Sequence, residues 1–210
     1  MLTKRIACLT TATLLFSMPG SSSQRLDEAL NLGTPEKPEE VVVEVETEPE
    51  TKAPTETVLK WECKTCTPQE KKVLAFLQGY GITDRAALAT ILGNIKQESN
   101  FINNICEGGA RTGYHGCHRG GFGLIQWTTK SRYDGLGWYA RKHGLDPNGM
   151  RAQLGWMVEE QQWRKVDYIW KTPGKSIDGY MRAAYRWLGW GIHGARTSFS
   201  YQYFDKLSGT

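Results

Sequence analysis

The chain has 210 residues, with 26 Lys and Arg against 22 Asp and Glu, five cysteines and eight tryptophans. That length holds one ordinary domain with a sizeable core and some appendages. Its longest apolar run, residues 6–16, is shorter than the roughly 20 residues a bilayer span needs, which argues against a permanent membrane anchor.

Charge is divided along the chain. Residues 1–60 carry 6 Lys/Arg and 10 Asp/Glu, whereas residues 61–210 carry 20 and 12, a net +8. A basic domain of this kind suits an anionic polymer such as peptidoglycan or teichoic acid, or a membrane surface. No zinc-finger, RNA-binding or helix-turn-helix pattern accompanies the charge, so no nucleic-acid partner is expected.

Residues 1–23 read as a signal peptide. Lys4 and Arg5 precede the apolar run, and Ser17, Pro19, Gly20 and Ser21 follow it. Export is therefore expected, to the periplasm or beyond. Cys8 precedes most of the apolar run, which places it badly for lipid attachment. Residues 24–60 read as an acidic, Pro/Glu-rich disordered linker. Eight Glu and two Lys lie between Glu36 and Glu56, and Pro35, Pro38, Pro49 and Pro54 are spread around them. Little apolar surface and strong self-repulsion favour an extended tether. Such a tether would let the basic domain reach its target from an anchor or from a partner protein.

Residues 61–210 read as the folded domain. Thr67-Pro68-Gln69-Glu70 is a capping box with proline at the first helical position, and Val73, Leu74, Phe76 and Leu77 carry that helix to Gly79. Thr83 and Asp84 offer the next cap. Leu88, Ile91, Leu92 and Ile95 then recur at the spacing of one helical face. Residues 103–123 are rich in glycine and too irregular for a helix, and residues 121–127 alternate as a short strand or hairpin would. Ser131 is expected to cap a helix running to His143. Asn148 is expected to open one in which Leu154, Met157, Val158 and Gln161 share a face. Ser176 opens another through Tyr180, Ala183, Ala184 and Trp187, and residues 195–207 form the last. With no internal repeat, the pattern is α+β and predominantly helical, with a small β-region.

Glu98 lies three positions beyond Ile95 and seven beyond Ile91, so it continues the apolar stripe where the helix ends. Partial burial disfavours its anion, and the negative end of the helix dipole pushes the same way. Both effects raise the pKa, as a carboxylic acid that must hold a proton near neutral pH requires. Against this stands the commoner reading of a solvated Glu near a helix end.

The sequence Gly93-Asn94-Ile95-Lys96-Gln97-Glu98-Ser99-Asn100-Phe101, followed by Gly121-Phe122-Gly123-Leu124-Ile125-Gln126-Trp127, resembles the phage tail lysozyme family. That family is a branch of the lysozyme-like superfamily, in which a helix-terminal Glu-Ser precedes a small β-region. The resemblance covers residues 67–203. It implies a lysozyme-like catalytic domain that degrades peptidoglycan next to N-acetylmuramic acid. Glu98 would be the general acid, in the manner of the buried lysozyme carboxyl. No cofactor or catalytic metal is implied.

The same resemblance points to substrate-binding positions. Gln126 is placed to exchange hydrogen bonds with hydroxyl or acetamido groups. Phe122, Trp127 and Tyr133 have rings suited to sugar faces, with core packing as the competing role for each. Arg132 would buttress the site, and Gln153 would serve its helix. A second carboxyl would decide between retention and inversion, and Glu107 and Asp134 are the nearest candidates. Lytic transglycosylases of the superfamily need only one Glu, so hydrolase against lyase stays open. A wall-binding or tail-structural module without turnover, and a chitinase-like glycosidase, are the other rivals.

Cys63, Cys66, Cys106 and Cys117 remain after the signal, an even number that suits two disulfides in an exported chain. Cys106 paired with Cys117 would close the loop after Glu98, Cys63 could bridge Cys66, and the crossed pairings are equally legal. The alternative is zinc, held by Cys63-x-x-Cys66 with Cys106, Cys117 and His115 or His118, although the later spacing fits no common finger. His115, His118 and His143 have no nucleophile in a recognisable setting beside them.

Overall fold

The first helix begins where the capping box requires. In α1 (Pro68–Gly79) the Thr67 hydroxyl accepts from the Glu70 N–H at 3.3 Å, and the Glu70 carboxylate accepts from the Thr67 N–H at 2.6 Å. The computed structural model describes residues 60–117 and 120–210. The signal peptide at 1–23, the linker up to residue 59 and His118 lie outside the described residues.

The fold is helical around α2 (Arg85–Ser99), which Asp84 caps by accepting from the Ala87 N–H at 2.9 Å. The stripe of Leu88, Ile91, Leu92 and Ile95 predicts one buried face. Instead, every residue from Ala86 to Ile95 is buried. The remaining faces are built from Ala, Thr, Gly and Asn, which look unremarkable in sequence but let other helices close in. α1 covers one side. α7 (Ile177–Leu188) and α8 (Arg196–Lys206) cover the others. A Cβ on Gly93 would stand 2.5 Å from the Ser200 backbone nitrogen, so α2 and α8 cross with their backbones nearly touching.

Between these lie α3 (Lys130–Lys142), α4 (Met150–Glu159) and two short turns of helix, α5 (Gln161–Arg164) and α6 (Asp167–Lys171). α3 starts one residue before the expected Ser131 cap, and neither Thr129 nor Ser131 caps it through its side chain. α4 starts at Met150 rather than Asn148. It ends before Gln161, because Glu160 turns to the extended conformation. α7 begins at its expected Ser176 cap, whose hydroxyl accepts from the Gly179 N–H.

The β content differs from expectation. Residues 121–127 form a tight loop closed by hydrogen bonds between Phe122 and Trp127, with an isolated bridge from Phe122 to Cys106. The two-stranded sheet lies elsewhere. β1 (Trp61–Glu62) and β2 (Ser208–Gly209) run antiparallel and tie the two ends of the domain together. Strands of two residues leave no alternation to read.

The tryptophans belong largely to the core. Trp163, Trp170 and Trp187 pack with centroids 4.8–6.4 Å apart, and Trp127 is also fully buried. The aromatic richness therefore serves packing more than it lines a cleft. Cys63 is bonded to Cys66, and Cys106 to Cys117, with Cα separations of 5.3 and 5.7 Å. These are the two uncrossed pairings. No helix among the described residues is long and apolar enough to cross a membrane.

Candidate active site

Glu98 is the penultimate residue of α2, and the chain reverses sharply after it. Asn100 and Phe101 both adopt left-handed backbone, at φ 50° and 62°. Asparagine takes this helix-end conformation readily, but a bulky residue such as Phe101 does so at a cost, and that strain persists only where its surroundings enforce it. Here Phe101 is buried edge-on against Tyr203 at 6.0 Å, and Ser99 donates to the Leu124 carbonyl at 2.8 Å. The helix end is thereby fastened to the glycine-rich loop opposite.

That loop is shaped from beneath by Gln153 of α4, which is fully buried. Its carbonyl oxygen accepts from the Leu124 N–H at 2.9 Å. Its amide donates to the carbonyls of Asn103 and Pro147 at 2.6 and 2.9 Å. Gly123 must be glycine: its φ is +75°, and a Cβ would stand 2.6 Å from the Gln153 oxygen. Gln126, at φ 53°, is the third non-glycine residue in left-handed backbone. Its amide donates to the Gly123 carbonyl at 2.9 Å.

Between helix end and loop lies an open hollow of about 450 Å³, bordered among others by Glu98, Glu107, Gln126, Thr128, Ile192 and Arg196. Of the three residues in left-handed backbone, Gln126 borders this hollow, whereas Asn100 and Phe101 line another with Glu70 and Arg111. Burial raises the Glu98 carboxyl above its ordinary range, while Arg196 and, more weakly, Arg132 pull it back down. The net shift is upward. Arg196 Nη2 lies 2.7 Å from Glu98 Oε1, and burial in turn lowers the Arg196 pKa against the pull of Glu98. Arg196 is itself held by Asn94 Oδ1 at 3.5 Å and by the Trp190 ring, 4.6 Å from its guanidinium carbon.

The other expected residues divide between the hollow and its supports. Gln126 and Glu107 border the hollow with Glu98, and the Glu107 carboxylate accepts from the Gly121 N–H at 3.0 Å. Phe122 and Trp127 are fully buried and offer no face to a ligand. Tyr133 stacks on Tyr114 with centroids 4.3 Å apart and lies outside the hollow's border. Asp134 is paired with Lys130 on the exposed side of α3. Arg132 is buried and forms a two-pronged bond to Glu160, at 2.8 and 2.7 Å.

Two residues of this arrangement escaped the sequence. Glu160, 1% exposed, also accepts from the indole N–H groups of Trp127 and Trp187. It locks three elements beneath the site. Arg196 was visible in principle. Arg196, Ser200 and Tyr203 fall at helical spacing and are the buried residues of α8, and an arginine on a buried stripe calls for an anion.

A family model described as phage tail lysozyme matches residues 68–190, more than half of the chain. The chain belongs to the phage tail lysozyme family. Its class is therefore that of a lysozyme-like, peptidoglycan-degrading glycosidase, with peptidoglycan as substrate. Comparison with curated proteins returns no match. The family match includes Glu98, the strained turn and the glycine-rich loop, and it ends before α8. Arg196, which closes the hollow over Glu98, lies beyond it.

Proposed function

We propose that this lysozyme-family chain is a muramidase, cleaving the glycan strand next to N-acetylmuramic acid with Glu98 as general acid. The observation that carries the reading is the setting of Glu98. It stands at a strained helix end, at the edge of an open hollow, with its proton affinity raised by burial. A carboxyl in that state donates its proton to the leaving glycosidic oxygen. Gln126, on the same border, would hold a hydroxyl or acetamido group. Water attacking from the far face completes an inverting hydrolysis, and Glu107 is the other carboxyl on that border able to accept its proton.

A second reading, lytic transglycosylase, draws support from one observation: Glu107 already accepts the Gly121 N–H. That bond fixes one of its two oxygens towards the loop; with Glu107 turned from the path of water, Glu98 acts alone and the sugar's own hydroxyl would attack instead. Residues 1–23 would export the chain, and the acidic linker would tether the domain at residues 61–210 to an anchor or tail partner.

The experiment is Glu98→Gln. The amide keeps the shape but cannot release a proton, so lysis of purified sacculi should fall by about 100- to 10,000-fold. Activity within a few-fold of wild type, in a folded variant, defeats the assignment. Mass spectrometry of the wild-type products separates the two mechanisms. Hydrolysis leaves reducing muramyl ends, and the lyase leaves anhydromuramyl ends lighter by one water.

A further inference from the structure

A second groove, also of about 450 Å³, opens beside the Glu98 hollow. Its walls come from the last turns of α7 and the segment that follows. Arg182, Tyr185, Arg186, Trp190 and His193 stand over a floor formed by Met181. Tyr185 is 55% exposed, and the Trp190 ring meets it edge-on with centroids 5.2 Å apart. Trp190 also carries the Arg196 guanidinium, and Arg196 and Ile192 belong to the border of the Glu98 hollow. The two depressions are therefore neighbours, joined through residues 190–196.

The charge of this surface has one sign. No Asp or Glu occurs from Gly179 to Phe204, whereas Arg182, Arg186, Arg196 and His193 do. Arg182 and Arg186 lie one turn apart on the exposed side of α7, with Tyr185 beside them. Neither makes an ion pair among the described residues. Fold stability gives no reason to hold an exposed ring and two unpaired cations around one groove. An exposed ring offers an apolar face at little ordering cost, and arginine grips carboxylates with a fixed fork of donors.

We propose that this groove is a remote subsite for the same strand, binding a saccharide unit away from the scissile bond. Tyr185 stacks on the sugar, and Arg182 and Arg186 hold carboxylates of the peptide stem that a muramic acid residue carries. The proposal rests on the glycan-cleaving reading above. It adds that the enzyme recognises stem-bearing glycan in preference to bare glycan.

The test compares kcat/KM for wild type, Tyr185→Ala and the double variant Arg182→Gln/Arg186→Gln on two substrates. One is sacculi stripped of teichoic acid, so that no phosphate polymer competes for the arginines. The other is the same glycan after an amidase has removed its stems. Circular dichroism establishes that each variant is folded. The double variant should lose about tenfold on stem-bearing glycan, through KM, and less than about twofold on bare glycan. Tyr185→Ala should lose about tenfold on both. A double variant that is unchanged, or that loses equally on both substrates, overturns the stem contact. An unchanged Tyr185→Ala overturns the stacking. Wild type that releases nothing from either substrate defeats the glycan reading itself, and the subsite falls with it.

Discussion

Arg196 and Glu98 form an ion pair of 2.7 Å across the junction of α8 and α2, both side chains largely withdrawn from water. The cation favours the carboxylate, so it opposes the burial that raises the Glu98 pKa. A general acid works only while protonated, and activity falls as pH rises through its pKa. Removing the cation by Arg196→Gln should raise that pKa further and move the alkaline limb of the pH–rate profile to higher pH. A profile with the limb unmoved, or moved down, contradicts a role for Arg196 in setting the proton affinity of Glu98.

Beneath the site, Glu160 receives two donors from Arg132 and one each from Trp127 and Trp187. Four donors converge on one carboxylate with 1% exposure, and none of them can find water if it leaves. Glu160→Gln leaves a buried guanidinium short of its anion, which costs on the order of 3–5 kcal/mol. Denaturant unfolding measures the loss. A variant within about 1 kcal/mol of wild type means that water reaches this cluster.

Much of this arrangement was legible in the sequence, and the gaps have physical causes. Caps at Thr67, Asp84 and Ser176 are local chemistry, so they predict helix starts correctly. The Glu98 stripe locates the carboxyl, and its glycine-rich partner loop follows from the motif. Gly93 carries no such signal, because what it meets is Ser200, more than a hundred residues away. Glu160 carries no local signal either, since its four donors come from three separate segments. The terminal sheet pairs Trp61 with Gly209 and contributes two residues per strand, below what alternation can reveal.

A different pH dependence should govern stability. Burial alone would raise the Glu70 pKa, but hydrogen bonds from the Tyr203 hydroxyl and from Thr67, with Lys96 nearby, outweigh it and hold it low. A carboxyl with a lowered folded-state pKa contributes stability above its unfolded pKa and loses it as pH falls through the folded one. Thermal melting of wild type should therefore weaken across the acid range, and Glu70→Gln should flatten that slope while lowering Tm at neutral pH. An acid slope identical in both proteins means that other groups carry the dependence.

Gly93→Ala sets two effects against each other. Alanine in a helix interior is favoured over glycine by about 1 kcal/mol. The new Cβ, however, would stand 2.5 Å from the Ser200 nitrogen and 2.7 Å from its Cα, and backbone cannot rotate aside as a side chain does. Overpacking of this kind costs about 1–3 kcal/mol and sometimes more, so the clash should win and Tm should fall. The consequence also reaches the chemistry. Ser200 stands one turn along α8 from Arg196, and Gly93 one turn along α2 from Gln97 and Glu98. Prising the helices apart at that crossing displaces Arg196 from Glu98. Activity on sacculi should fall, and its alkaline limb should move to higher pH, as for Arg196→Gln. A variant with lower Tm but an unshifted pH–rate profile would show that the crossing supports the fold without setting the geometry of the acid.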